Sequence, residues 1–262
     1  MAHAAPLARL DVAAAVNDQA ILAQCLARSP DIAGGALTLR CYEGYATAGL
    51  AYNAALDASD AEWLMLAHQD VYLPTGFAAA ITAALDDLAH VAPDWGVAGV
   101  VGATALGGVV GQVWCSGNAR LIGDRNDLPA PAATLDELII IIRKSARLRF
   151  DEALPSFHLY AADMILEARK AGHSTWVVDA PVVHHSRPVV NLGGGYAKAW
   201  HYMRRKWASE LPIVNLVCAI RRSPFTLWEK DLRIRLTHRG RKDRGDASGD
   251  PVEIAERLGF DR

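Results

Sequence analysis

The stretch EWLMLAHQDVYLPTGF, residues 62–77, decides how the chain is read. Residues 63–67 are apolar without a break, as in a strand buried on both faces. The run stops at His68, Gln69 and Asp70. Pro74-Thr75-Gly76 then opens a segment in which Phe77, Ile81, Leu85 and Leu88 recur at helical spacing. This predicts a buried strand, a polar turn and a helix. A histidine and an aspartate at a strand end either cap the following turn or are mounted there to bind something.

The same alternation extends outward on both sides. Residues 12–16 predict a strand, Asn17 and Asp18 offer a helix cap, and Ile21, Leu22, Cys25 and Leu26 share one helical face. Residues 36–41, 97–101, 135–143 and 175–178 read as further strands, and 47–58 and 160–171 as helices, the latter closed by Gly172. Strands alternating with helices predict an α/β fold with a mostly parallel central sheet and helices on both faces. Residues 102–126 break the pattern, being glycine-rich with short β-like pieces such as Gln112-Val113-Trp114. Tyr196, Trp200, Met203 and Trp207 sit at helical spacing on a late helix. From residue 223 the chain becomes charged, with seven Lys/Arg from Lys230 to Arg244, and RKDRGDASGDP (241–251) reads as a solvated tail. The organisation expected is one domain over residues 1–222 and a charged, partly disordered extension over 223–262.

Composition narrows the function. In 262 residues, 52% are hydrophobic and 21% charged, enough for a substantial core. A net charge of −2 argues against a dedicated nucleic-acid binder, which would need a basic excess for phosphate contacts. The cysteines, at 25, 41, 115 and 218, form no CxxC pair, as expected of a reducing compartment. Arg9 and Asp11 interrupt the apolar N-terminal stretch, so it makes a poor signal peptide, and the apolar run 211–220 is too short to span a bilayer. The expectation is a cytoplasmic protein, with peripheral contact to the inner face of a membrane open through the basic tail.

Three further places carry candidate chemistry. In open α/β sheets ligands sit at the carboxyl ends of strands, where Asn17, Asp18 and Asp70 all fall. A carboxylate there is able to coordinate a divalent cation, with His68 as a second ligand or a hydrogen-bond partner. In VVDAPVVHHSRP (177–188), His184 and His185 are adjacent on an extended segment, so they point opposite ways and at most one faces a site. Asp163 falls in the first turns of a helix, where it either complements the helix dipole or serves as a general base.

Taken in order, GLAYNAALDASDAEWLMLAHQDVYLP, WGVAGVVGA, LRFDEALPSFHLYAADMILEARKAG, VVHHS and RRKWASELP resemble glycosyltransferase family 2, of the GT-A fold, and within it the group whose metal motif reads HQD in place of DxD. The resemblance implies a Rossmann-like GT-A sheet and an inverting transfer of a sugar from a nucleoside-diphosphate sugar to a hydroxyl of a glycan or lipid-linked acceptor. It implies Mn2+ or Mg2+ held by Asp70, with His184 or His185 approaching the metal or diphosphate. Asp163 would be the base, and Asn17, Asp18, Asn53 and His68 would lie near the nucleotide. The chain departs from the family pattern at His68, where DxD has its first acid, at Ala162, where a Glu precedes the base, and at Tyr52, before the helix asparagine. Two alternatives stay open: a nucleotide-sugar-binding module without catalysis, and, ranked last, a metal-dependent hydrolase using His68, Asp70 and a late histidine.

Overall fold

The computed structural model describes residues 9–237 and 249–261. Strand β1 (Leu10–Ala15) leads through helices α1 (Gln19–Gln24) and α2 (Pro30–Ala33) to β2 (Thr38–Tyr42). Helix α3 (Ala48–Ala58), strands β3 (Trp63–Ala67) and β4 (Val71–Tyr72), and helix α4 (Phe77–Val91) follow. A strand-rich middle comprises β5 (Trp95–Gly99), β6 (Val101–Ala103), β7 (Val109–Cys115), β8 (Arg120–Asp124), β9 (Ala130–Pro131), β10 (Thr134–Leu135) and β11 (Ile139–Arg143). The chain then forms α5 (Tyr160–Lys170), β12 (Ser174–Val177), β13 (Val182–His184), α6 (Gly194–Lys206), α7 (Phe225–Thr237) and α8 (Pro251–Leu258).

The main sheet has seven strands in the order β2-β1-β3-β11-β5-β12-β9. β1 runs parallel to β2 and β3, and β12 parallel to β5, while β11 inserts antiparallel between β3 and β5. Side-chain alternation along the strands feeds two cores. Trp63, Met65 and Ala67, with Ile139 and Ile141, face one layer with α1 and α4; Leu64 and Leu66, with Ile140 and Ile142, face the other with α3, α5 and α6. This two-sided burial is why β3 and β11 carry unbroken apolar runs.

A smaller sheet, β10-β6-β7-β13-β4 with β8 on the flank of β7, lies beside the first. It accounts for the glycine-rich stretch, whose core is the β7–β8 hairpin. A Cβ on Gly111, which has φ +80°, would stand 2.1 Å from the Val100 carbonyl oxygen, so β7 approaches its neighbour only with glycine there. The turn 68–70 is the point at which the chain leaves the main sheet and enters the smaller one. It is pinned by His68 N–H donating to Leu138 O (2.9 Å) and His185 N–H donating to Asp70 O (2.8 Å).

The region expected as a charged extension contributes two packed helices. Leu227 and Ile234 of α7 are buried against the α6 side of the core, and Ile254 and Ala255 of α8 pack with Phe260 on Tyr72 and Val183. Apolar residues at helical spacing are what the charge count conceals. Residues 238–248, which hold most of the RKDRGDASGDP segment, lie outside the described residues. Among the described residues no helix is long and apolar enough to cross a membrane.

Candidate cation and nucleotide site

A cleft of about 500 Å³ opens over the ends of β1 and β3. Its walls include Asn17, Tyr42, Tyr45, Phe157 and Tyr160, and its floor His68, Gln69 and Asp70. The position follows from topology, since parallel strands β1 and β3 end together here and their connections diverge.

His68 and Asp70 of this floor meet His184, which packs against Asp70 outside the cleft lining. Each offers one ligand atom, and the three atoms lie within 4.8 Å of one another. Asp70 Oδ1 is 3.3 Å from His184 Nε2 and 3.9 Å from His68 Nδ1. His184 arrives from the end of β13, which pairs antiparallel with β4 just beyond the 68–70 turn. The adjacent-histidine question is thereby answered: His184 joins the cluster and His185 does not. His185 serves through its backbone, which holds the Asp70 carbonyl.

The charges are interdependent. Burial opposes ionisation of Asp70, yet His184 and His68 hold its carboxyl well below the usual range. Burial likewise opposes charge on His184, but the Asp70 carboxylate raises it to about 9. Burial keeps His68 below its ordinary value, so that ring is neutral at pH 7. The Tyr160 hydroxyl lies 3.1 Å from both His68 Nε2 and Glu137 O, and this contact fixes the orientation of the His68 ring, with Nδ1 on the Asp70 side.

Gln69, to which the sequence assigns no role, organises the wall. Its Oε1 accepts from the N–H groups of Asn17 (3.0 Å) and Asp18 (3.1 Å), and its Nε2 donates to Asn17 Oδ1 (2.6 Å). The central residue of the motif thus ties the β1–α1 loop to the cation-ligand turn. Asp18 is used as a helix cap, accepting from Ala20 N–H and Ile21 N–H at 3.1 Å each.

Two expected site residues lie elsewhere. Asn53 is 5% exposed and clamps the 150–152 loop: Nδ2 donates to Phe150 O (3.0 Å) and Glu152 Oε1 (2.8 Å), and Oδ1 accepts from Phe150 N–H (2.9 Å). Both Nδ2 hydrogens and one Oδ1 lone pair are thereby used within the fold. Asp163 is 2% exposed and sits in an ion cluster. Lys206 Nζ reaches it at 2.8 Å, together with Asp151 (2.9 Å) and Glu167 (3.0 Å), and Trp207 Nε1 donates to its Oδ1 at 2.7 Å. Asp163, expected to join Asp70 at one cavity, is not among the residues that line the cleft. Tyr160, one turn earlier on α5, is the residue of that helix that lines the cleft.

No protein-family model matches the chain. Over 157 residues it is 26% identical to a Fuscovulum blasticum protein called ATP synthase subunits region ORF 6; the match covers 56% of this chain and 59% of that protein. Among solved structures it is similar to a mannosyltransferase from Pyrobaculum calidifontis in complex with GDP-Man and Mn2+, at TM-score 0.49 and 12% identity over 98% of this chain and 82% of that one. GalNAc-T7 with UDP, GalNAc and Mn2+ aligns at TM-score 0.48 and 10% identity, over 97% of this chain and 57% of that one. Glucosyl-3-phosphoglycerate synthase from Mycobacterium tuberculosis, with Mg2+ and UDP, aligns at TM-score 0.46 and 9% identity, over 80% and 81%. Likenesses this distant carry no argument about what this chain does.

Proposed function

We propose that the chain is a glycosyltransferase acting on a nucleoside-diphosphate sugar, with a divalent cation held by His68, Asp70 and His184. The observation that carries this is the convergence, within 4.8 Å of one another, of three atoms able to ligate a cation, two of them from residues on the floor of a cleft walled by aromatic rings. The donor set fits such an ion: Asp70 is held as a carboxylate, and burial favours the neutral form of His68, which has a nitrogen lone pair to offer. Two imidazoles with one carboxylate suit Mn2+ better than Mg2+, which prefers oxygen alone. When bound, the ion would supply the positive charge that a departing diphosphate requires.

The chain's own side chains account for the rest of donor binding. Tyr42, Tyr45 and Phe157 offer flat faces for a nucleobase. Gln69 fixes the Asn17 loop that closes the other wall. The reaction we propose is inverting: a hydroxyl oxygen of a glycan or lipid-linked acceptor bonds to the anomeric carbon from the face opposite the diphosphate, the bond to the diphosphate breaks, and the hydroxyl proton passes to solvent. Asp163, whose oxygens are engaged by Lys206 and Trp207, is assigned a packing role in this proposal.

One observation favours a second reading. Asp70 is the one carboxylate among the described residues lining the cleft, and it belongs to the cation set. A module that binds a nucleotide sugar without transferring it would look the same. Incubation with a panel of nucleotide sugars and Mn2+, with and without a crude lipid or glycan acceptor, separates the two. Transfer to an acceptor supports the first reading, and binding without turnover the second. Absence of nucleotide binding at every condition removes both.

A further inference from the structure

Helix α7 is held firmly on one side and exposed on the other. Its inner face buries Leu227 and Ile234, and Asp231 Oδ1 accepts from Leu192 N–H at 2.6 Å, which fixes the helix beside the segment leading into α6. Its outer face carries Phe225, Trp228, Leu232 and Leu236, exposed by 72%, 63%, 40% and 76%. At 100° per residue these four fall on one stripe opposite the buried pair. Single exposed apolar residues are ordinary, but four large ones on one stripe, two of them aromatic, are not.

The stripe is bordered by cations. Arg233 lies on one side, paired with Glu229 at 3.0 Å, and Arg235 on the other, paired with Asp231 at 2.7 Å. Arg221 and Arg222, both exposed, precede the helix. Residues 221–237 hold five basic and two acidic side chains in a chain of net charge −2, and the sequence of 238–244 adds four basic residues and one acid. Basic charge is therefore concentrated around the one exposed apolar stripe of this helix. An aromatic and aliphatic face edged by arginines matches the headgroup region of an anionic bilayer, where rings lie at the interface and arginines meet phosphates.

We propose that the outer face of α7 docks the protein in the plane of an anionic lipid bilayer. A second copy is the poorer occupant, because a symmetric contact would bring the same arginines face to face. A protein interface of standard size also buries about 800 Å² per partner, more than four partly exposed side chains supply. On the transferase reading above, docking would also serve the acceptor. Gly195 at the start of α6 leaves room for Ser156, whose neighbour Phe157 lines the cleft, so the cleft rim and the α6–α7 face are joined through one short segment. That corollary rests on the transferase reading; the docking itself does not.

The test is co-sedimentation of the full chain, without nucleotide or cation, with vesicles of phosphatidylcholine alone and of phosphatidylcholine mixed with phosphatidylglycerol. Binding is expected on the mixed vesicles only, and it should weaken as salt is raised. Trp228→Ala with Leu232→Ala should lower partitioning by roughly tenfold or more, with an unchanged melting temperature because both side chains face solvent. Nucleoside-diphosphate binding by the same variant should remain at wild-type level, which separates failure of docking from failure of the transferase reading. Equal binding to neutral vesicles, unchanged binding by the double variant, or a concentration-dependent dimer that the double variant abolishes would each overturn the proposal.

Discussion

Replacing Asp163 by Asn distinguishes a packing residue from a reacting one. Asp163 is the most deeply buried of three carboxylates around Lys206: its side chain is 2% exposed, against 20% for Asp151 and 29% for Glu167. The substitution keeps an oxygen for Trp207 Nε1, now 2.7 Å from Asp163 Oδ1, but turns an amide toward the Lys206 ammonium. Breaking a buried pair so that one charge is orphaned costs about 3–5 kcal/mol. Lys206 keeps two partners here, so the expected loss is smaller, about 2–3 kcal/mol. At roughly 2–4 °C per kcal/mol for a chain of this size, the melting temperature should fall by roughly 4–12 °C. Thermal melting followed by circular dichroism reads this, and nucleotide binding below the transition should be near normal. A variant that melts with the wild type yet has lost sugar transfer would refute the reasoning, because Asp163 would then be acting on substrate.

Four further outcomes follow from the site. Cation binding must displace the proton that Asp70 holds on His184, so Mn2+ affinity should rise about tenfold per pH unit up to about 9 and then level off; a flat profile from pH 6 to 8, by calorimetry, would contradict this. In the cation-free protein the same pair has the opposite sign for stability: the His184 pKa is raised, so its contribution is complete below about 6.5 and is lost as pH rises through about 9. Tyr160→Phe leaves His68 Nε2 and the Glu137 carbonyl without their shared partner, and Mn2+ affinity should drop about 10–100-fold, as for other groups that orient a ligating histidine. Gln69→Ala removes three hydrogen bonds to the Asn17–Asp18 backbone and side chain, so nucleotide affinity should fall while affinity for Mn2+ alone stays within a few-fold, measured by titration of each separately.

Much of the fold was legible because two-sided burial writes itself into sequence. The apolar run of β3 and the helical stripe Phe77, Ile81, Leu85, Leu88 appear where the pattern places them, whereas the single strand expected over 135–143 divides into β10 and β11, which belong to different sheets. That adjacent histidines diverge was legible for the same local reason: His184 joins Asp70 and His68, and His185 does not. What was not legible depends on partners distant in sequence. Nothing near Asp163 announces that Lys206 and Trp207, more than 40 residues on, will close around it. Nothing near Asn53 announces the 150–152 loop that takes up its amide. Gln69 was in view inside the motif, but its work became visible only once β1 and β3 were seen to end side by side. The charge of the C-terminal stretch masked the apolar positions of α7 and α8 because a net count discards phase.

The most direct measurement is titration of the protein with UDP, GDP, dTDP and CDP, each with and without Mn2+, for the wild type, Asp70→Asn and His184→Ala. If His68, Asp70 and His184 hold the ion that anchors a diphosphate, at least one nucleotide binds the wild type only when Mn2+ is present, and both variants lose that binding at temperatures below their melting transitions, which loss of the Asp70–His184 pair lowers. Nucleotide binding that ignores Mn2+, or that survives in both variants, would contradict the assignment.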